Sequence, residues 1–460
     1  MVCSGFDEFK FDSMNVSKPL RVLIGILDGP EYSRQLAEIA KLMPESAVRY
    51  IGFLWASGSY LRKNSFDYVN AGIWSNIKNV SDITPAIREY GNPDKSWHNV
   101  PKSAKVAFST LGELVVSEIK SFKPDVIVHQ DIDNAVSYLL SEYGREYGIP
   151  TIGLQNSFIS KHYMVWPYGA RSIQYFQNAK IFENVDDDIS MLNQNVLSYR
   201  IASAERKNGS SEYWMRQAER FFRLLIGGIS FDTYRGAYSL LCKKISKVNW
   251  FPKLEIIDPR NKIGMHVLIV LHQPLLDANE PTWLDLINFA LDAVPLNIPI
   301  IIRPHPKEKS RRIPDALENS LILRGVRISK PDKDPNIQTL LKSCKAVITL
   351  SSSVGMEALL QGVYVFTLGP AYYARAGMAE SVTILESGKV RHILEKDAEL
   401  RPDMKIVKAF YMWLLEYYLI PVPLQHPDGA GRLVDWIRMR ANLADSGEST
   451  AYLHHITASQ

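Results

Sequence analysis

Short runs of Val, Ile and Leu recur along both halves of the chain, separated by longer stretches in which apolar residues return every three to four positions. Runs of four to eight apolar residues read as buried strands, and the stretches of helical period between them as crossover helices. On this pattern the first half opens with a strand over 21–27, a turn at Gly29-Pro30, a helix over 33–42 and a strand over 47–54. Residues 56–100 carry Gly, Asn, Ser and Pro without a clear period and read as a long, partly ordered excursion. The pattern then predicts a helix over 103–122, a strand over 125–128, a helix over 135–147 and a strand over 151–154. Between 156 and 260 it supports one amphipathic helix, at 212–225, and little else.

The second half is more regular. A strand at 266–271 leads through a helix at 282–293 to a strand at 298–302, then strand–loop–helix units continue to Gly369, with strands at 346–350 and 364–368. After Thr383 the pattern turns helical, at 404–418 and 431–443. Strands alternating with helices imply right-handed βαβ units and parallel sheets. A chain of 460 residues exceeds one ordinary core, so two domains are expected. The predicted class is α/β, two Rossmann-like domains facing a cleft, with C-terminal helices. The expected segments are a flexible N-terminus (1–18), a first domain (19–255), a second domain (256–400), helices packing across the cleft (401–445) and a flexible tail (446–460).

Composition narrows the class without deciding it. The chain is 46% hydrophobic and 22% charged, and its formal charge of +4 does not call for a nucleic-acid partner. Three scattered cysteines, Cys3, Cys242 and Cys344, suggest reduced thiols in place of a disulfide framework or zinc site. Acids among residues 1–18 argue against a signal peptide, and no run of 18 apolar residues is present. The aromatic-rich segment 410–423 is short, broken by Glu416 and two prolines, and reads as a buried helix. A cytoplasmic protein is expected, with a basic face that would allow peripheral contact with the inner side of a membrane or with an assembly complex.

The candidate chemistry sits in two loops. Arg303-Pro304-His305-Pro306 follows one core strand, and Ser351-Ser352-Ser353-Val354-Gly355-Met356-Glu357 follows another. In an open parallel sheet, ligands bind outside the carboxyl ends of the strands. Arg303 supplies a guanidinium fork for phosphate, and His305, fixed between two prolines, supplies a hydrogen bond or a proton. Ser351, Ser352 and Ser353 would cap a helix starting near Val354. Gly355 would let a phosphate approach its first turn, and Glu357 would accept from a sugar hydroxyl. Read alone, each loop is equally a proline-punctuated turn or an ordinary helix cap; together, after successive core strands, they favour a phosphorylated ligand.

This pairing of an HP loop with an SS loop, followed by Glu357-Ala358-Leu359, Gly362, a strand and Gly369-Pro370-Ala371-Tyr372-Tyr373, resembles the capsule polysaccharide biosynthesis family. That family includes GT-B Kdo transferases, and the resemblance spans about Val267 to Tyr373. It implies that Arg303, His305, Ser351, Ser352, Ser353 and Glu357 hold the nucleotide part of an activated sugar, with the first domain receiving the acceptor. Gln273 and Asp277 stand where Kdo-transferase members carry a Gln and then an Asp, so Asp277 is a candidate catalytic carboxylate. A plain turn acid is the alternative there. Relatives often carry a Glu after the strand at 151–154, where this chain has Gln155, and an amide cannot serve as an acid/base. Asp131 is the preferred substitute, with His129, Asp133 and His162 nearby; Asp131 is also a ready helix cap. Gln155 and His162 are placed on the acceptor side. Tyr163, Trp166 and Tyr168 would stack on acceptor sugars or, equally, fill the core.

No dinucleotide fingerprint, P-loop, HExxH or GxSxG is present, and Asp186-Asp187-Asp188 reads as a solvated loop. No metal or other cofactor is expected. The basic run Lys307, Lys309, Arg311, Arg312 would neutralise a leaving phosphate or simply face solvent. The resulting expectation is a glycosyltransferase acting on a nucleotide sugar, with CMP-Kdo first among donors, and on an oligosaccharide or glycolipid acceptor. A nucleotide-sugar epimerase, a CDP-alcohol phosphotransferase and a non-catalytic polysaccharide biosynthesis or export protein remain as alternatives.

Overall fold

The computed structural model describes residues 18–26, 30–52, 55–70, 102–130, 135–159, 162–169, 172–179, 253–257, 264–271, 282–304, 314–329, 336–396, 400–422, 424 and 427–445. In the first half, β1 (Arg21–Ile26), α1 (Pro30–Leu42), β2 (Ala47–Gly52), α2 (Trp55–Lys63) and β3 (Asp67–Asn70) are followed by α3 (Lys102–Phe122), β4 (Val126–Gln130), α4 (Ala135–Glu146) and β5 (Thr151–Asn156). An antiparallel strand β6 (His162–Trp166) and a short helix α5 (Ser172–Asn178) complete it. The second half contains β7 (His266–Val270), α6 (Trp283–Ala293), β8 (Ile300–Arg303), α7 (Asp315–Leu323), β9 (Arg327–Ile328), α8 (Ile337–Lys342), β10 (Cys344–Thr349), α9 (Val354–Leu360), β11 (Tyr364–Thr367) and β12 (Ala379–Ser381). A 3-10 turn (Ile384–Glu386), α10 (Ser387–Lys396), α11 (Met404–Trp413), a π turn (Leu414–Tyr418), β13 (Leu419–Pro421) and α12 (Pro427–Asp445) close the described chain.

These strands form two sheets, in the orders β13-β6-β5-β4-β1-β2-β3 and β12-β11-β10-β7-β8-β9. The second is parallel throughout; in the first only β6 runs against the others, antiparallel to both β5 and β13. In each sheet the chain winds outward one way and then returns to the other side of its first strand. The order therefore reverses between β1 and β4, and between β7 and β10. Such reversal points open a crevice at the carboxyl ends of the strands. Two Rossmann-like α/β units with C-terminal helices define a GT-B architecture, as the strand–helix alternation predicts.

Strand alternation divides the core. Leu268, Val270 and Ile301 face a hydrophobic cluster continuous with Val22, Ile24, Val126 and Val128 of the first sheet. Val267, Ile269, Ile300 and Ile302 point the other way, into a cluster with Leu286, Phe289 and Ala293 of α6. Helix α6 starts with a reciprocal capping box: Thr282 Oγ1 accepts from the Asp285 amide at 3.2 Å, and the Thr282 amide donates to Asp285 Oδ2 at 2.7 Å. Lys253 donates its amide to buried Glu318 at 2.9 Å, and Ile257 donates to the Ile328 carbonyl at 2.9 Å, so residues 253–257 lie along β9.

Three local expectations are sharpened or corrected. The excursion at 56–100 contains α2 and β3 at its start. One of its glycines has a packing reason: a side chain at Gly58 would meet the Tyr68 ring at 2.1 Å. The segment after 156, without readable period, contains β6 and α5. The helix expected at 404–418 is present, as α11 and the π turn, but the reading of 410–423 as one buried helix is corrected: 419–421 pairs antiparallel with β6, Leu419 opposite Met164 and Pro421 opposite His162. Phe410, Tyr411 and Leu414 of this segment are buried, and among the described residues no helix is long and apolar enough to cross a membrane. The helix expected at 212–225 and the acidic run at 186–188 lie outside the described residues.

Candidate nucleotide site

Val270, at the end of β7, pairs with Arg303 on one side and with Thr349 on the other. Strands lie about 4.8 Å apart, so the end of β8 and the start of the serine loop are separated by about 10 Å across one strand. Thr349 Oγ1 donates to the Val270 carbonyl at 3.0 Å, and the Leu271 amide donates to the Arg303 carbonyl at 3.0 Å. The two polar loops predicted from sequence therefore leave the sheet beside each other at its reversal point. Arg303 is half-buried and donates from Nη1 to Ser329 Oγ at 2.9 Å, while burial lowers its pKa from the ordinary arginine value. A guanidinium in such surroundings stays charged and interacts more strongly with an anion than one in bulk water.

The serine loop is built differently from an ordinary helix cap. Ser353 occupies the N-cap position of α9 with φ −57° and ψ −20° and makes no side-chain cap bond, which corrects its expected role. Ser352 Oγ instead accepts from the Val354 amide at 3.3 Å, and the Ser352 carbonyl accepts from the Gly355 amide at 2.9 Å. Ser351 and Ser352 are partly exposed and Ser353 is exposed, so hydroxyls remain at the surface of the crevice.

Gly355 and Glu357 serve the protein interior. A Cβ at Gly355 would lie 2.2 Å from the Tyr373 hydroxyl, so the glycine makes room for that ring. Glu357 is 1% exposed and accepts from Gln338 Nε2 of α8 at 3.2 Å; Gln361 donates in turn to Gln338 Oε1. The carboxylate ties α9 to α8 beneath the loop. It does not present the exposed acceptor expected for a sugar hydroxyl.

Tyr373, which turn chemistry and strand period do not single out, supports this loop. Its fully buried ring lies under the serine loop, and its hydroxyl donates to the Ser352 carbonyl at 2.6 Å. Burial raises its pKa well above the tyrosine range. The one sequence signal was its place at the end of the Gly369-Pro370-Ala371-Tyr372-Tyr373 motif that follows β11.

On the first sheet, Gln155 is half-buried on β5 opposite Met164, and His162 is half-buried on β6 opposite Pro421. His129 is 1% exposed on β4, packed inside the fold and poorly placed to exchange protons with an acceptor. Tyr163 and Trp166 are core residues: Tyr163 stacks on Tyr32 at 5.9 Å, and Trp166 meets Phe176 and Tyr372 edge-on at 5.6 and 5.9 Å. Tyr168 carries the Arg440 guanidinium 4.4 Å above its ring. Core packing thus accounts for Tyr163 and Trp166, while Tyr168 is half-buried at the edge of the same cluster. Asp131, Asp133, Gln273, Asp277, His305 and the basic run at 307–312 lie outside the described residues.

The fold is that of a GT-B protein, with Arg303 and the serine loop at the carboxyl edge of its second sheet. Residues 268–421 match the family described as Capsule polysaccharide biosynthesis protein, which covers both loops, Glu357, Tyr373 and β13. No curated protein matches the chain. Among solved structures it is similar to the beta Kdo 2,4 transferase KpsC of Thermosulfurimonas dismutans, at 15% identity over 68% of this chain and 87% of that one, with a TM-score of 0.34. It is also similar to the UDP-GlcNAc 2-epimerase of Methanocaldococcus jannaschii in complex with UDP-GlcNAc and UDP (12% identity, 86% and 100% coverage, TM-score 0.31). A third is the glycosyltransferase SnogD of Streptomyces nogalater (12% identity, 91% and 98% coverage, TM-score 0.28).

Proposed function

We propose that the chain is a glycosyltransferase of polysaccharide biosynthesis, taking a sugar from a nucleotide donor and passing it to an oligosaccharide or glycolipid acceptor. The observation that carries this reading is the placement of Arg303 and the serine loop on either side of Val270, at the reversal point of the second sheet. Within a segment matching a capsule polysaccharide family, that edge suits the phosphate of an activated sugar. Arg303 would neutralise the phosphate as it leaves, and the hydroxyls of Ser351, Ser352 and Ser353 would orient it. His305 and Gln273 would donate to the nucleotide.

For the chemical step, Asp277 is the proposed carboxylate near the anomeric carbon and Asp131 the proposed acid/base on the acceptor side. CMP-Kdo is the first donor to try, ahead of CMP-sialic-acid-like, UDP and GDP sugars. No metal is assigned to the reaction: the cation beside the phosphate in this reading is Arg303.

A thermal-shift screen of CMP, CDP, UDP and GDP tests the nucleotide site. A nucleotide present at about 100 times its dissociation constant stabilises by about 2.7 kcal/mol, a readily measured rise in melting temperature. A rise with one of them, abolished in Arg303→Ala, is expected; no rise with any would remove the donor site. A rise with UDP and none with CMP would discard the Kdo donor. Product analysis by NMR then separates transfer to an acceptor from epimerisation of the donor. Full activity of the combined Asp277→Ala and Asp131→Ala variant would remove the assigned chemistry.

A further inference from the structure

We infer that Tyr373 is a positioning residue for nucleotide binding, and that Arg375 makes its placement depend on docking of the first domain. This deepens the reading of the serine loop as the donor-phosphate site and rests on it. The Ser352 carbonyl is the hinge of that loop: it accepts from the Gly355 amide at 2.9 Å and from the Tyr373 hydroxyl at 2.6 Å. The second bond comes from a ring with no exposed surface, so the direction of the Ser352 peptide is set from below by a group that cannot move aside. Gly355 completes the fit, because any side chain there would meet Tyr373 Oη, Cζ and Cε2 at 2.2, 2.5 and 2.8 Å. Tyrosine at 373 and glycine at 355 are thus one device, and its output is the orientation of the Ser351–Ser353 hydroxyls.

The segment carrying Tyr373 is held by the other sheet's helix. Arg375 donates from Nη1 to the Phe176 carbonyl at 3.0 Å and from Nη2 to the Ala179 carbonyl at 2.7 Å, capping the carboxyl end of α5. Gln177 Nε2 returns a bond to the Ala371 carbonyl at 2.8 Å. Tyr372, between these contacts, is packed against Phe158 and Trp166 of the first domain. A shift of α5 would therefore move residues 371–375 and, through Tyr373, the serine loop. Nucleotide affinity should weaken when the α5 contact is cut.

The neighbouring tyrosine supplies the control. Tyr372 is 9% exposed and its hydroxyl has no hydrogen-bond partner among the described residues, so Tyr372→Phe removes an oxygen that holds none of them. Tyr373→Phe removes one that holds Ser352. Binding of CMP and UDP to the full chain is measured by calorimetry for the wild type and for Tyr372→Phe, Tyr373→Phe and Arg375→Lys. Each protein is also followed by thermal denaturation and by hydrogen exchange of residues 351–357. Losing one such hydrogen bond should weaken binding about five- to tenfold in Tyr373→Phe, with faster exchange confined to the serine loop. Tyr372→Phe should bind as the wild type, and Arg375→Lys should show weaker binding with faster exchange in both the serine loop and α5. Wild-type affinity in Tyr373→Phe would overturn the inference, as would a loss matched by Tyr372→Phe or exchange that rises across the whole fold. If the wild type binds neither CMP nor UDP, the donor-site reading fails first and the inference falls with it. If the wild type binds and Tyr373→Phe is unaffected, only the inference fails.

Discussion

Arg375 of the second domain caps the final carbonyls of α5 in the first, reaching Phe176 at 3.0 Å and Ala179 at 2.7 Å across nearly two hundred residues of chain. The guanidinium also lies 5.4 Å from the centre of the Phe410 ring. A charged donor, two carbonyls and an aromatic face thus meet where the two sheets share one hydrophobic cluster.

Replacing Arg375 by alanine should lower the stability of the folded chain by about 2–3 kcal/mol, since hydrogen bonds to charged groups are worth more than neutral ones. Urea unfolding followed by tryptophan fluorescence measures the loss. Lysine should recover little, because a single ammonium does not span two carbonyls as the planar fork does. A variant as stable as the wild type would mean that the two domains dock without this cap.

Glycine-to-alanine changes should separate two kinds of glycine. At Gly355 the new methyl group meets the buried Tyr373 ring, and overpacking of this sort costs about 1–3 kcal/mol. At Gly388 in α10 nothing lies within 4 Å of the added carbon. Alanine there should be neutral or stabilise by about 0.5 kcal/mol through helix propensity. Chemical denaturation of the two variants side by side checks the contrast.

Stability should fall as pH drops below about 6.5, the ordinary histidine value, in part because of His266. Burial lowers the pKa of this residue, and the nearby Arg327 lowers it further, against an opposing bond between His266 Nδ1 and the Gly264 carbonyl at 2.9 Å. A depressed folded-state pKa means that the unfolded chain binds the proton first. The contribution is whole above the unfolded value and is lost as pH falls toward the folded one. His266→Gln should flatten the dependence of the urea midpoint between pH 7 and pH 5; an unchanged slope would assign the effect to other groups.

Cys344 should resist alkylation in the native protein. It is buried on β10, its thiol donates to the Ala346 carbonyl at 3.0 Å, and burial pushes its pKa up to about 12. The thiolate is the reactive form, so iodoacetamide at neutral pH should leave this residue unmodified until the chain is unfolded. Peptide mass spectrometry before and after denaturation gives the answer; rapid native labelling would mean that β10 opens locally.

Much of the second domain was legible because its signals are local. Apolar runs of strand length, Thr282 before a helical stretch and serines before another place β7, β8, β10, α6 and α9 without knowledge of their neighbours. The expected boundaries of β1 and α3 likewise stand within a residue of those observed. Strands β6 and β13 gave no comparable signal. Each is short, and the run 410–423 looks helical until its last residues find Tyr163 and Met164, more than 250 positions earlier, as pairing partners.

The same distinction runs through the candidate site. From the chain alone came the α/β class, the parallel winding and two polar loops at one sheet edge, because strand period and turn chemistry are properties of neighbouring residues. Only the folded molecule decided which of those polar residues face the crevice. Glu357 turns inward to Gln338, Gly355 answers to Tyr373, and Tyr163 and Trp166 belong to the core. Each of these outcomes depends on close packing between segments far apart in sequence, and a local pattern does not encode it.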